Sequence, residues 1–173
     1  MLEIEVKILD INEKVVEERL KSLGAELQYD DDIESLYFDF PHLSLPKGHT
    51  IRLRRQGEVY ELTLKKKISN EKAKIRDETE ITVSDFESAR IILEDLGLRV
   101  ARRLIKHRKS FLLDGVHFEI DTLPGIPCFL EIEAENIKKI EQYAALFGYR
   151  MEDTRAWSTK DVLRYYGNEN NLI

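Results

Sequence analysis

Like charges recur two residues apart in this chain, as in Glu3 and Glu5, Arg52 and Arg54, Lys106 and Arg108, and Glu131 and Glu133. In a β-strand, residues two apart share a face. Each pair therefore puts two equal charges on one side, which repel unless an opposite strand or a ligand compensates them. Carboxylates gathered from Glu3, Glu5, Asp121, Glu131 and Glu133 would form an oxygen-rich site for a hard cation, Mg²⁺ or Mn²⁺. Gathered Arg and Lys side chains would form a phosphate cradle, with guanidinium forks for bidentate contacts and ammonium groups as point charges. The combination points to a metal–polyphosphate complex, because Mg²⁺ is commonly held by a few carboxylates plus substrate phosphates. No glycine-rich phosphate loop occurs, so side chains would have to hold any nucleotide.

Composition limits the setting. The chain has 173 residues, enough for one domain, and 42% are hydrophobic, enough for a core. The charged fraction is 35%, against roughly 25% in average globular domains. That load of Lys, Glu and Arg leans towards a thermophilic source. A net charge of −6 argues against a general nucleic-acid or membrane-surface binder, while the clustering of basic residues keeps a small anion in play. The lone Cys128 excludes an internal disulfide framework and fits a reducing compartment. Acids from Glu3 onward leave no basic-then-apolar leader, and no apolar run approaches the ~20 residues of a membrane span. The expectation is a cytoplasmic protein.

The elements that must position the charges follow from periodicity. Leu2 to Ile8 alternates and predicts a strand. Asp10 to Gly24 predicts a helix, with Asn12 as N-cap and Gly24 at its end. Strands are expected at Leu36–Phe40, Thr50–Gln56, Val59–Lys67, Ala73–Val83, Leu98–Leu113, Val116–Leu123 and Phe129–Glu135. Further helices are expected after Ser84–Asp85 and over Asn136–Phe147 and Ser158–Tyr166. Asp30-Asp31-Asp32 reads as a solvated turn, and Gly167 to Ile173 as a frayed tail. About eight strands, mostly antiparallel neighbours, with helices between groups of them, give a single α+β domain over 1–173.

Sorting each strand by face gathers the charges. Lys7 joins Glu3 and Glu5; Glu61, Thr63, Lys65 and Lys67 share a side, as do Lys74, Arg76, Glu78 and Glu80, and Glu119 joins Asp121. A plain sheet with its charged face in water is the alternative. A solvated face usually intersperses signs, whereas Glu3/Glu5, Arg52/Arg54, Lys106/Arg108 and Glu131/Glu133 each keep one sign. Eight strands are also about the number at which a closed sheet leaves room for side chains or one small ligand. The expected fold is therefore an eight-stranded antiparallel β-barrel turned inside out, charged within, with apolar residues packed outward under helices.

These residues resemble a known family. Glu3-Ile4-Glu5-Val6-Lys7 is similar to the ExExK signature of CYTH proteins, the triphosphate tunnel metalloenzymes. Leu36-Tyr37-Phe38-Asp39 with Ile51-Arg52-Leu53-Arg54 resembles its YFD…LRxR stretch. Leu62-Thr63-Leu64-Lys65, Arg76-Asp77-Glu78-Thr79-Glu80 and Lys106-His107-Arg108 resemble its LTxK, RxExE and KxR strands. Asp121, Gly125 and Phe129-Leu130-Glu131-Ile132-Glu133 resemble its last strands, in the family's order over roughly residues 2 to 165. The resemblance implies an eight-stranded tunnel, closest to class IV (CyaB-type) adenylyl cyclases, with thiamine and inorganic triphosphatases in the same family. It implies Glu3, Glu5, Asp121, Glu131 and Glu133 as metal ligands or their close support, and Lys7, Arg52, Arg54, Lys65, Lys74, Arg76, Lys106 and Arg108 on the triphosphate. Glu3, Glu5, Lys7, Glu131 and Glu133 would carry the catalysis, and Glu78 and Glu80 would support neighbouring bases.

The chain departs from the family at Pro127, where a second glycine is usual, and at Thr159, where cyclase-like members often have Tyr after Ser. The implied partner is a small-molecule triphosphate (ATP, thiamine triphosphate or tripolyphosphate), without nucleic acid or membrane, and a homodimer is an open option. A polyphosphate-binding module without turnover is the other reading, against which five acids count. His42, His49, His107 and His117 lack metal-ligand spacing, and His107 and His117 are expected off the charged rows. Trp157 is expected to form one core cluster with Tyr143, Phe147 and Tyr149.

Overall fold

The computed structural model describes residues 2–168. The strands are β1 (Leu2–Ile8), β2 (Glu26–Asp39), β3 (His49–Gln56), β4 (Val59–Ser69), β5 (Lys74–Val83), β6 (Arg99–Leu113), β7 (Val116–Thr122) and β8 (Phe129–Glu133). The helices are α1 (Glu13–Ser22), α2 (Phe86–Asp95), α3 (Ile137–Leu146) and α4 (Thr159–Tyr165), with a 3₁₀ turn at Met151–Asp153. The strands form a closed barrel in the order β1-β5-β4-β3-β2-β6-β7-β8, every neighbour antiparallel. Closure leaves no strand with an unpaired edge.

Alternation decides which side of each strand meets the helices. The even residues of β1, Ile4, Val6 and Ile8, face outward into a core with Phe118, Ile120, Leu130 and Ile132. Val16 and Leu20 of α1 and Ile140, Tyr143 and Ala144 of α3 cover that core. A second core joins Leu36, Phe38 and Leu53 to Phe86, Ala89 and Leu93 of α2. Helix starts are set by side chains: Asn12, Asp85, Asn136 and Ser158 each accept a hydrogen bond from a backbone N–H three residues on.

A third cluster shuts one end of the barrel. Val162 and Leu163 of α4 are fully buried against Leu104, Leu123 and Phe129, with Leu9, Tyr37 and Trp157 packed around them. Inward-facing residues of β2, β6 and β8, with Leu123 just after β7, are thus used as the seat of a plug. Sequence pattern alone assigned α4 no such role.

Several expectations need correction. β2 begins at Glu26, and Asp30, Asp31 and Asp32 lie within it, opposite Lys109, Arg108 and His107 of β6. The His107 ring nitrogens lie 3.0 Å from Asp30 Oδ1 and 3.2 Å from Asp32 Oδ1, so the ladder to β6 and His107 hold this acidic run extended. Trp157 belongs to the α4 plug, whereas Tyr143, Phe147 and Tyr149 belong to the core under α3. Of the expected frayed tail, Asn168 is tied down: its backbone N–H donates to Leu163 O at 2.8 Å and its side chain to Pro124 O at 3.1 Å. Residues 169–173 lie outside the described residues.

Candidate active site

The odd residues of β1 point into the barrel, as do the even residues of β3, β5 and β6 and the odd residues of β4, β7 and β8. They line a cavity of about 940 Å³, the size of a generous small-molecule pocket. The cavity is charged throughout, and register decides how its charges meet.

Glu5 lies opposite Glu133, and Lys7 opposite Glu131, across the β1–β8 ladder. This brings Glu3, Glu5 and Glu133 together, with one carboxylate oxygen from each within 4.8 Å of the others. Asp121 and Glu131 stand outside that trio. Asp121 is 0% exposed, and both its oxygens are taken. Arg108 grips it with Nε at 2.6 Å and Nη2 at 2.7 Å, and Lys106 Nζ donates at 2.6 Å. Glu131 accepts from Lys7 Nζ and has Arg108 Nη2 3.6 Å away. Arg108 also pairs with Glu119. Of the five acids, Glu3, Glu5 and Glu133 thus converge, although Glu3 and Glu5 also accept from lysines, while Asp121 and Glu131 are bound to cations away from that point.

The cations divide too. Lys7 is buried and donates to Glu5 at 2.7 Å, and Lys74 donates to the same oxygen at 2.6 Å. Lys65 bridges Glu3 at 3.0 Å and Glu78 at 2.5 Å. Arg52 donates to Thr63 at 3.2 Å and to Glu80 at 3.4 Å, and Arg54 donates to Glu61 at 2.7 Å. Arg76 is turned to the β4–β5 connection, donating to Asn70 Oδ1 at 2.7 Å. Glu78 thus pairs with Lys65 and Glu80 with Arg52.

Sequence reasoning passed over other lumen groups. His117 lines the cavity beside Glu133, its cross-strand neighbour, which corrects the expectation that it lay off the charged rows. Its odd number, shared with Glu119 and Asp121, was the available signal. Tyr37, Arg102 and Ser35 also line the cavity. Arg102 has the parity of Lys106 and Arg108 on β6, and the KxR motif drew notice away from it.

Burial and neighbouring charge tune these groups. Burial and the adjacent Glu3, Glu131 and Glu5 push Glu133 up to about 8. Burial and a hydrogen bond with Glu3 push Glu78 up to about 7. Burial opposes ionisation of Glu3 as well, but Glu78, Lys65 and Lys74 together hold it well below the usual carboxylate range. Burial and the adjacent Arg108 bring Lys106 down to about 8. Burial works against charge on Lys7, yet Glu131 and Glu5 keep it firmly protonated.

Glu133 carries a stability consequence. Its folded form keeps a proton that the unfolded chain gives up above about pH 4.3. The native state therefore binds more protons than the unfolded state between about pH 4 and pH 8, and stability falls as pH rises through that window. In chelator, the thermal midpoint should fall between about pH 5 and pH 8, and Glu133→Gln should flatten the slope. The His107 contribution is common to both proteins, so equal slopes in a melting series would remove Glu133 from this account.

The trio fits a cation on its own chemistry. All its donors are carboxylate oxygens, the set that hard divalent ions take. Three such groups this close repel, and among the described residues no hydrogen bond or ion pair reaches the Glu133 carboxylate. A closed antiparallel barrel with charge inside and hydrophobic packing outside is a tunnel protein. The chain belongs to the CYTH domain family, whose model matches residues 1–166, and its barrel is that family's triphosphate tunnel fold. It is 28% identical over 158 residues to a Methanocaldococcus jannaschii protein named "Putative adenylate cyclase MJ0240", covering 90% of this chain and 89% of that protein. Among solved structures, the PH1012 protein from Pyrococcus horikoshii superposes with a TM-score of 0.78 at 26% identity, over 92% of this chain and 98% of that one. A Vibrio parahaemolyticus structure described as a putative adenylate cyclase gives 0.77 at 21% identity, over 95% and 98%, and shows the fold alone. Among the described residues, no helix is long and apolar enough to cross a membrane.

Proposed function

We propose that this protein is a divalent-metal-dependent enzyme acting on a triphosphate, and that it converts ATP to a cyclic nucleotide and pyrophosphate. The observation that carries the reading is the convergence of Glu3, Glu5 and Glu133 within 4.8 Å, facing a lumen wall of arginines and lysines. Glu3, Glu5 and Glu133 would hold Mg²⁺ or Mn²⁺. Bound there, the ion would supply charge neutralisation at the phosphates.

The chain's own residues do the rest. Arg52, Arg54 and Lys65 present donors to phosphate oxygens from β3 and β4. Lys106 and Arg108 do so from β6, fixed in place by Asp121. Lys7 keeps Glu5 and Glu131 oriented and adds its charge where the trio and the cradle meet. The barrel wall and the α4 plug limit water at one end. Phosphoryl and nucleotidyl transfer need little more than positioning and neutralisation of developing charge. The trio sits towards the end where β1 begins and β8 ends, away from α4. A substrate entering phosphate-first would leave its nucleoside-linked phosphate there, within reach of its own ribose hydroxyl.

Hydrolysis is the second reading. The described lumen groups select phosphates, and Tyr37, the ring nearest the cradle, is already covered by Arg102. A triphosphatase would need nothing further. Incubation with ATP, thiamine triphosphate and tripolyphosphate, with Mg²⁺ or Mn²⁺, separates the two by product. Cyclic AMP with pyrophosphate is expected. Orthophosphate from all three would favour hydrolysis, and no product with either ion would overturn both.

A further inference from the structure

Arg102 is the exception among the lumen arginines. Arg52, Arg54, Arg76 and Arg108 each donate to a carboxylate or amide oxygen. No hydrogen bond or ion pair from Arg102 occurs among the described residues, and its Nε is buried without an acceptor. Its guanidinium lies 4.0 Å from the centroid of the Tyr37 ring, directly across the β2–β6 ladder. A cation over an aromatic face is held in place while its edge stays free to donate. The surroundings are electropositive: although burial opposes ionisation of Tyr37, the charges of Arg52, Arg102 and Lys106 draw its hydroxyl below the usual phenol range.

Position along the barrel matters as much as charge. β1 and β8, which carry the carboxylate trio, are neighbours, and β2 and β3 lie across the lumen from them. Glu3 is near the start of β1 and Glu133 ends β8, at the end away from α4. Arg102 is near the start of β6 and Tyr37 near the finish of β2, at the end that α4 shuts. Tyr37 therefore lies on the wall across from the trio, and both Tyr37 and Arg102 lie towards the α4 end. An uncompensated guanidinium there calls for an anion, and a linear triphosphate anchored at the trio places one phosphate at the far end.

We propose that Arg102, seated on Tyr37, is a specificity-determining residue that receives the terminal phosphate and so selects triphosphates over diphosphates. This rests on the reading of the lumen as a triphosphate site. It adds a direction: terminal phosphate towards α4, organic group towards the mouth beside Glu133.

The test is the rise in thermal midpoint that a ligand produces, read with Mg²⁺ for inorganic tripolyphosphate, pyrophosphate and ATP. Such a rise reports affinity without requiring turnover. Wild type should favour tripolyphosphate over pyrophosphate. Arg102→Gln should weaken tripolyphosphate and ATP by about 10- to 100-fold, the range for hydrogen bonds to a charged group, and leave pyrophosphate nearly unchanged. The unliganded variant should melt like wild type, since Arg102 holds no protein acceptor. Arg102→Lys, which keeps the charge and loses the fork, should fall between. Equal weakening of tripolyphosphate and pyrophosphate, or none, overturns the assignment while leaving the triphosphate reading in place. Weakening of ATP alone overturns it too, because Arg102 would then contact the organic group. A wild type stabilised by none of the three overturns both readings.

Discussion

Glu133→Ala is expected to lower kcat by more than about 10³-fold while leaving the fold as stable as wild type or more so. The activity loss follows from the trio: a cation held by three carboxylates loses one of its donors, and an electrostatic contribution of several kcal/mol to transition-state stabilisation corresponds to a loss of that size. The stability result follows from what Glu133 does not do. Removing a buried partner is costly when it leaves another group unpaired. No described hydrogen bond or ion pair reaches this carboxylate, and in the absence of a cation it faces the repulsion of Glu3, Glu131 and Glu5. Activity and melting measured on one preparation give the answer. A raised metal requirement, with activity partly restored at high Mn²⁺, is the expected form of the loss. Full activity at ordinary metal concentration would remove Glu133 from the ion's site, and a lower midpoint would show a structural role instead.

The contrast between Glu133 and Asp121 marks the limit of what the sequence made legible. Strands with strict alternation, such as Leu2–Ile8 and Thr50–Gln56, declared which side chains share a face, because period two is a local property. That Glu3, Glu5 and Lys7 share one face, and Arg52 and Arg54 another, needed nothing else; turning those faces inward took the like-sign pairs and the strand count as well. Partnerships within the lumen are not local. Whether Glu131 meets Lys7 or a cation depends on the register of β1 against β8, which no short pattern encodes. The acidic run Asp30–Asp32 failed for the same reason. Aspartates disfavour strands in isolation, and the β6 segment that pairs with them, His107 included, lies more than seventy residues away. The α4 plug was hidden differently: its helical signal was clear, but its seat is built from lumen-facing residues of several strands. Arg102 was legible by parity alone, and its meaning came only with the missing partner.

Asp121→Asn is expected to cost about 3–5 kcal/mol, the range for breaking one side of a buried ion pair, which at roughly 2–4 °C per kcal/mol lowers the midpoint by about 6–20 °C. The wild-type carboxylate accepts three charge-assisted hydrogen bonds with no solvent exposure. Asparagine keeps the shape but can accept at one atom only, and its amide would face the cations with donors. Lys106 and Arg108 would then repel with less compensation, although Glu119 and Glu131 still hold Arg108. The pH dependence identifies the cause. Burial would raise the Asp121 pKa, but Arg108 and Lys106 outweigh it and hold the folded value below the usual 3.8. A depressed carboxylate contributes its stability above the unfolded pKa and loses it as pH falls through the folded one. The gap between wild type and variant should therefore be full near neutrality and shrink below about pH 4. The deficit should persist in chelator, because it arises from protein cations rather than from a bound ion. A variant that melts like wild type without metal, and differs only when Mg²⁺ is added, would place Asp121 on the ion and return it to the company of Glu3, Glu5 and Glu133.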